Sequence, residues 1–357
     1  MKKLRKLFLL PILALLLSGC NLINNLESIV GGTSQTPPTT GTSEVGTSVS
    51  REEINSRVAA AFLNSDPTTK ETFRVEIKQD ATMDSKEYVN DELTAHEGEH
   101  IVQEKSLKAK GLQSAAPQLA VHTEFVGHGY EYGVENRYGE FTLDTYFVDE
   151  WIYNNENLRL REGPEGTPFT EESSKTKMYV GPLTSGDILE AAIFGDEGSM
   201  LVPAMYFGQP GVLDGITNVS GIETGGILKV TYNISKADYL NLVRTIMLST
   251  IPEELTPEEQ EEYVEFINGM VALMDEALEI TLYKLTLEIT SDNHINKLRS
   301  DFSVKMTWVF EPSEWDPEGS TEVMTSAGYE EMTADYNQTF NIEFPDFSDY
   351  EERQPPQ

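Results

Sequence analysis

The chain has 357 residues, of which 60 are acidic and 26 are basic, giving a formal net charge of −34. Because phosphate backbones and anionic lipid surfaces attract basic faces, this charge excludes nucleic acid and electrostatic adhesion to membranes as expected modes of binding. Hydrophobic residues make up 39% of the chain and include 15 Phe and 15 Tyr, which indicates a folded protein with an acidic, solvated surface.

Residues 1–19 have the pattern of a bacterial secretion signal. Four basic residues open it: Lys2, Lys3, Arg5 and Lys6. An apolar run over 7–17 follows, shorter than the roughly 20 residues that a membrane-spanning helix needs. The run ends in Leu17-Ser18-Gly19-Cys20, which resembles the lipobox of bacterial lipoproteins. The resemblance implies cleavage after Gly19 and a diacylglycerol on the thiol of Cys20.

Cys20 is the only cysteine, so no disulfide can form within the chain. Each buried methylene of a lipid chain contributes about 0.8 kcal/mol, so two or three chains at this residue hold a protein firmly. We therefore predict a protein anchored at the extracytoplasmic face of the cell membrane, with the membrane as its partner through the lipid. An ordinary signal with an incidental cysteine, or an uncleaved anchor, is the alternative interpretation.

Composition divides the rest of the chain into three parts. Residues 20–50 are predicted to be a flexible tether, because 31–50 consist largely of Gly, Ser, Thr and Pro. Residues 51–348 are predicted to form a single α+β domain, followed by a loose tail over 349–357.

Helical periodicity and capping signals predict four helices. The first places Ile54, Val58, Ala61 and Phe62 on one face and ends at Ser65-Asp66-Pro67. A short helix is predicted over 184–194. Ser235 with Asp238 is a capping pattern for the third helix, and Thr256 with Glu259 for the fourth. The fourth helix carries an apolar stripe: Tyr263, Phe266, Ile267, Met270, Val271 and Met274.

Alternating apolar residues predict strands with one buried and one solvated face. Such alternation occurs at 73–77, 119–125, 141–147, 228–234, 285–289, 302–310 and 340–344. A turn is expected at Val148-Asp149-Glu150, and a long irregular loop over the glycine-rich residues 195–225. Clustered strands with segregated helices predict an α+β fold with a large, mainly antiparallel sheet.

His96-Glu97-Gly98-Glu99-His100 matches the H-E-x-x-H motif of zinc peptidases, in which a helix places both histidines on the metal. Gly98 weakens a helix by about 1 kcal/mol relative to Ala, and no third ligand motif follows at short range. A zinc hydrolase using His96 and His100 is therefore a remote alternative, and it requires residues 93–103 to be helical.

Two further matches evoke penicillin-binding proteins and β-lactamases. Ser174-Lys175-Thr176-Lys177 fits S-x-x-K, and Ser291-Asp292-Asn293 fits S-D-N. The third element, K-T-G, is missing after residue 293, and Met178-Tyr179-Val180 has the pattern of a strand where a buried helix is required. We interpret the S-D-N triplet as a hairpin turn. No residue is assigned a catalytic role, and neither a cofactor nor a metal is expected.

Three stretches resemble the lipoprotein-carrier superfamily, which includes the LolA-type carriers and the LppX-type lipoproteins. They are two hairpin patterns and a last strand, at 145–154, 285–298 and 339–345. The resemblance implies a strongly curved sheet, like an unclosed half-barrel, with helices packed on its concave face. It implies no catalytic residues and an apolar cavity that holds an acyl chain or another hydrophobic molecule.

Candidates for the cavity lining come from the inward faces of the fourth helix and the long strand at 302–310. They are Phe266, Met270, Met274, Phe302, Val304, Met306 and Trp308. Ordinary core packing is the alternative interpretation of these side chains. The leading hypothesis is a non-enzymatic lipoprotein that binds a hydrophobic small molecule or lipid. The alternative is an envelope module with a filled core that binds a protein partner, which the sequence does not identify.

Overall fold

The computed structural model describes residues 46–114, 116–182, 213–249, 251, 255–310, 312 and 319–353. The signal segment, Cys20 and the helix predicted over 184–194 lie outside these residues. Within them the chain forms thirteen strands and three α-helices.

The elements are numbered in chain order. The strands are β1 (Thr47–Ser48), β2 (Thr72–Val89), β3 (Glu92–Lys110), β4 (Gln118–Glu131), β5 (Val134–Val148), β6 (Trp151–Glu162), β7 (Thr170–Tyr179), β8 (Asn218–Thr224), β9 (Ile227–Asn233), β10 (Leu278–Ile289), β11 (Ile295–Phe310), β12 (Ser320–Tyr336) and β13 (Glu351–Glu352). The helices are α1 (Arg51–Asn64), α2 (Lys236–Ser249) and α3 (Pro257–Ala277).

All thirteen strands belong to one sheet, in the order β1-β8-β9-β10-β11-β12-β2-β3-β4-β5-β6-β7-β13. Neighbouring strands are antiparallel except β7 and β13, which run parallel. The edge strands β1 and β13 do not pair with each other, so the sheet is unclosed. The prediction of a large, mainly antiparallel, unclosed sheet is confirmed.

The sheet has a core face and an opposite face. Side chains alternate between the faces along a strand, and residues paired across strands share a face. On the core face, the larger buried cluster joins all three helices to β9, β10 and β11 through residues such as Ile54, Val243, Met274 and Leu287. A smaller buried cluster on the same face lies on β2 to β5 and β12 and includes Phe73, Leu107, Leu119 and Phe147.

The capping patterns place the helix starts as predicted. At α3, Thr256 Oγ1 accepts a hydrogen bond from the Glu259 N–H at 3.3 Å, and the Glu259 carboxylate accepts one from the Thr256 N–H at 2.8 Å. At α2, the Asp238 carboxylate accepts from the Ser235 N–H at 3.1 Å, and Ser235 Oγ accepts from the Asp238 N–H at 3.2 Å. The first helix ends at Asn64, directly before its predicted stop.

Both predicted turns are also present. Asp149 and Glu150 join β5 to β6 with φ angles of 52° and 68°, the left-handed pair that a two-residue type I′ hairpin requires. Asn293, in the S-D-N triplet, has a φ of 56° and lies in the turn between β10 and β11. The S-x-x-K match lies on β7, where Ser174 and Lys177 fall on different faces of the strand.

The apolar stripe predicted on α3 is only partly buried. Ile267, Met270 and Met274 are buried against the sheet, whereas Tyr263 and Phe266 are 48% and 47% exposed. Leu273 is 58% exposed. The helix therefore has an exposed apolar edge beside its buried face.

Three short segments correct the predicted boundaries. β8 occupies the end of the predicted irregular loop, and Gly221 lets it approach α1, because a Cβ there would lie 2.8 Å from Ile54 Cδ1. β1 lies in the predicted tether and gains main-chain hydrogen bonds by pairing with β8. β13 lies in the predicted loose tail and pairs with β7, while the preceding Tyr350 is buried.

The last predicted strand is wrong, and a longer strand went unpredicted. Residues 340–344 form no strand, and Phe344 instead packs against Tyr146 on the opposite face, with ring centroids 6.1 Å apart. The position between β11 and β2 is taken by β12, which has polar side chains on both faces and so lacks the alternation that identifies a half-buried strand.

Candidate functional site

His96 and His100 lie on β3, so the helix that a zinc hydrolase requires is not formed. Four residues apart on a strand, the two side chains share the opposite face at a separation of about 13 Å. His96 Nε2 donates to Asp84 Oδ1 at 2.5 Å, and His100 Nε2 donates to Asp80 Oδ1 at 2.9 Å. No group of three or more metal-ligating side chains occurs among the described residues. The zinc hydrolase prediction is therefore wrong.

His128, the neighbouring histidine on the opposite face of the sheet, is also paired with a carboxylate. His100 stacks on His128 of β4, with ring centroids 5.8 Å apart. His128 Nδ1 donates to Glu135 at 3.0 Å, and Arg161 forms an ion pair with the same carboxylate. Burial alone would raise the pKa of Glu135, but the hydrogen bonds from His128 and Arg161 outweigh burial and lower it. Such mutual pairing favours a structural role for these residues.

An open groove of about 510 Å³ also lies on β5, β6 and β7. Its basic residue, Arg159, forms ion pairs with Glu140 at 3.3 Å and Glu171 at 3.4 Å. The guanidinium also lies 3.8 Å from the ring centroid of Phe169. Because these charges already satisfy one another, we assign no ligand to the groove.

The seven cavity candidates differ in burial. Met270, Met274, Val304 and Met306 are buried within the larger core cluster. Phe302 and Trp308 are half-buried, and Phe266 is largely exposed. At a different place, across the middle of the long strands, the core face carries polar atoms that have no partner among the described residues.

Strand register defines two parallel lines of residues at that place. The first, here called the mixed row, runs across seven strands: Ser300, Glu330, Gln79, Gln103, Phe125, Phe141 and Leu158. The second, here called the glycine row, lies two residues further along: Phe302, Gly328, Ala81, Ile101, Gly127, Gly139 and Leu160. The rows are about 7 Å apart, as two residues of a strand require.

The mixed row changes from polar to apolar along its length. Its β11, β12, β2 and β3 positions carry hydroxyl, carboxyl and amide groups, while its β4, β5 and β6 positions carry Phe125, Phe141 and Leu158. At about 4.8 Å per strand, each half is long enough to contact one end of an amphiphilic molecule.

Among the described residues, the glycine row leaves space on the core face beside the apolar half. Gly139 has ordinary φ, and among the described residues a Cβ built there would meet only Leu160 Cδ1, at 3.7 Å. At Gly127 the ring of Phe125 lies close, 3.0 Å from the position of a Cβ. At Gly328 the main chain of Asp80 would be 2.3 Å away, so a side chain is excluded there.

Glu99 is the most unusual residue of this region. On β3 it lies two residues before Ile101 of the glycine row. It pairs with Met83 and Gly129 and is only 2% exposed. Its Oε2 has no hydrogen-bond partner among the described residues. Desolvation by burial is the sole cause that raises the pKa of Glu99, to about 8. The carboxyl is therefore mostly neutral at pH 7 and lacks the partner that a buried polar group normally has.

A second polar position lies in the mixed row. Gln79 is 3% exposed, and its Oε1 also has no partner among the described residues. Its cross-strand neighbour is Glu330. Although part of Glu330 remains exposed, desolvation of its carboxyl raises its pKa to about 8. The core face thus combines two neutral carboxyls and an unpaired amide oxygen with an adjacent apolar surface.

Strand parity is the sequence signal that indicates the burial of Glu99. Glu99 shares its parity with Ile101 and Leu107, which are buried on the core face, whereas His96 and His100 have the other parity. The pairing of β3 with β2 and β4, which decides the buried face, depends on residues far away in sequence.

Comparisons with known proteins identify no family for this chain. No family model and no curated protein matches it. One solved structure that it was matched to is the translocator domain of the autotransporter NalP from Neisseria meningitidis. That match has 6% sequence identity and a TM-score of 0.14, and it covers 78% of this chain and 94% of that one. A TM-score this low carries no argument about fold or function.

No helix among the described residues is both long and apolar enough to cross a bilayer.

Proposed function

We propose that the protein is a lipoprotein, anchored through Cys20 at the extracytoplasmic face of the cell membrane, that binds a hydrophobic molecule or lipid without acting as an enzyme. The ligand lies on the core face of the sheet, over the mixed row and the glycine row. The sheet curves around it, with the helices on the concave side, as in the carrier superfamily that the sequence resembles.

One observation carries the proposal: the middle of the core face has buried polar atoms that no other described residue satisfies, beside an apolar surface. Unpaired buried polar groups cost about 1–3 kcal/mol each, so a fold keeps them where something else satisfies them. A ligand with one polar end and one apolar end matches the combination of these buried polar groups, Glu99 among them, with the adjoining apolar side chains and glycines.

The test is to purify the full chain from the cell envelope in a non-ionic maltoside detergent and weigh it by native mass spectrometry. Bound material is then extracted into organic solvent and compared with the bulk membrane lipid. We expect one retained molecule per chain, enriched over its share of the membrane.

Two glycine variants make the test specific to the site. Gly139→Val fills the space beside Leu160 without a main-chain clash, so it should abolish the retained mass. Gly269→Val, on the exposed side of α3, should retain it. No bound molecule above the detergent background, or equal retention in both variants, would contradict the proposal.

The protein-binding alternative is supported by the exposed apolar edge of α3, formed by Tyr263, Phe266 and Leu273. Exposed apolar groups of this kind mark interaction surfaces when they are contiguous. A photo-crosslinking residue at 273 tests it in cells. A single crosslinked product that Tyr263→Asp removes would favour this function, and diffuse crosslinking would oppose it.

A further inference from the structure

We infer that Glu99 binds the head group of the ligand and that this head group is a positively charged amine. The inference rests on the proposed function and names the chemical class of its ligand. It makes Glu99 the polar anchor of a cationic amphiphile whose apolar part lies over the glycine row.

The missing hydrogen bond at Glu99 indicates a ligand whose head group is a hydrogen-bond donor. Beside the glycine row, Glu99 Oε2 has no partner among the described residues, and in the ionised carboxylate this atom is an acceptor. An ammonium group offers three donors and no acceptor, so it complements such atoms directly. A hydrogen bond between an ammonium and a carboxylate is also roughly twice as strong as one between neutral groups.

No basic side chain of the described residues takes this role. Met83 and Gly129 flank Glu99 on the neighbouring strands, and Ile101 follows it on its own strand. The next residue across the sheet, Arg137, lies two strands away beyond Gly129, and no ion pair joins it to Glu99 among the described residues. A bound ammonium would favour the ionised form of this carboxyl, because a nearby opposite charge lowers the pKa of a carboxyl group.

The charge of the whole chain selects the same class of ligand. A net charge of −34 attracts cations and repels anions over distances longer than direct contact. An anionic amphiphile would be repelled by this field before it reached the core face.

Space for the apolar part begins next to Glu99. Gly129 pairs with Glu99, and Gly127 and Gly139 lie one step further along the neighbouring strands. The rings of Phe125 and Phe141 border this space in the mixed row. A chain that starts at Glu99 therefore runs over glycines and against aromatic rings.

The test uses three probes that share one chain: dodecylammonium, dodecanol and dodecanoate. Each is added to the full chain in maltoside detergent, and binding is counted by native mass spectrometry. The solution is kept near physiological ionic strength, where the Debye length is about 8 Å, so that diffuse attraction to the acidic surface is screened. Wild type is compared with Glu99→Gln and with Glu97→Gln, which changes an exposed carboxyl two residues away.

We expect one dodecylammonium per chain for wild type and Glu97→Gln, and binding weaker by about tenfold or more for Glu99→Gln, as the loss of a charged hydrogen bond implies. Equal binding by the two variants would overturn the inference. Stoichiometric binding of dodecanol or dodecanoate, unaffected by Glu99→Gln, would also overturn it while leaving the proposed function in place. Binding of none of the probes by wild type would count against both.

Discussion

The pKa of Glu99 makes the cost of its burial measurable by varying pH. Burial raises the pKa from its ordinary value of 4.5 to about 8. Between these pH values the folded protein keeps a proton that the unfolded chain has lost, so stability falls as pH rises through this window. Glu99→Gln removes this titration. We expect the variant to be more stable than wild type by about 1–3 kcal/mol at pH 8, with little difference near pH 4.

Urea unfolding at the two pH values measures this difference. The control is Glu97→Gln, on the same strand and face but exposed, which should follow wild type at both pH values. A Glu99→Gln variant that is no more stable than wild type at pH 8 would show that the carboxyl has a partner in solution. Glu330→Gln should also be more stable than wild type at pH 8, because burial raises the pKa of Glu330 to about 8 as well.

Side-chain identity alone does not reveal which polar residue of β3 is buried on the core face. The H-E-x-x-H match drew attention to His96 and His100, which are ordinary partners of Asp84 and Asp80. Glu99 looks equally polar in sequence. Its burial follows from strand parity combined with long-range pairing to Met83 and Gly129, and pairing of this kind cannot be obtained from local residues.

Among the elements, α2 begins at a carboxylate that joins two parts of the chain. Asp238 accepts hydrogen bonds from the N–H groups of Ser235 and Thr217, and it is buried. Burial alone would raise the pKa of Asp238, but the hydrogen bonds from Ser235 and Thr217 lower it. Asp238→Ala would leave two amides without acceptors. We expect a loss of about 2–3 kcal/mol in the free energy of unfolding.

Denaturant unfolding near pH 7 checks this value, with Thr256→Ala at α3 as the comparison. Thr256 caps an exposed helix start, so its removal should cost only about 1 kcal/mol. Because folding lowers the pKa of Asp238, the stability that this carboxylate contributes should be lost as pH falls through the pKa of the folded protein. Equal losses for the two variants would contradict a special role for the buried carboxylate.

Helix starts and turns could be predicted because the residues that determine them are close together in the sequence. The caps at Thr256 and Ser235 and the turn at Asp149 and Glu150 involve neighbouring residues, and each was identified from sequence. β12 was missed because both of its faces are polar, and its place between β11 and β2 comes from pairing across more than 200 residues. Residues 340–344 have strand alternation but form no strand, and the contact of Phe344 with Tyr146 on the opposite face involves residues about 200 positions apart.

At the scale of the whole molecule, β12 joins the two ends of the sheet. It pairs with β11 on one side and β2 on the other, so it links the strands of the larger core cluster to those of the smaller one. Met332, paired with Leu298 and Ile77, packs against both clusters. Met324, on the same strand and face, packs against the larger cluster alone.

These two methionines provide a matched test of how the clusters unfold together. Shortening a partly buried methionine to alanine should cost about 1–2 kcal/mol at either position. Because Met332 contacts both clusters, Met332→Ala should also weaken their coupling, so that amides of β3 and β4 exchange with deuterium faster than those of β9 and β10. Met324→Ala should instead speed exchange mainly in β10 and β11. Hydrogen exchange followed by mass spectrometry distinguishes these patterns, and a uniform change in both variants would mean that the sheet opens as one unit without depending on the contact at Met332.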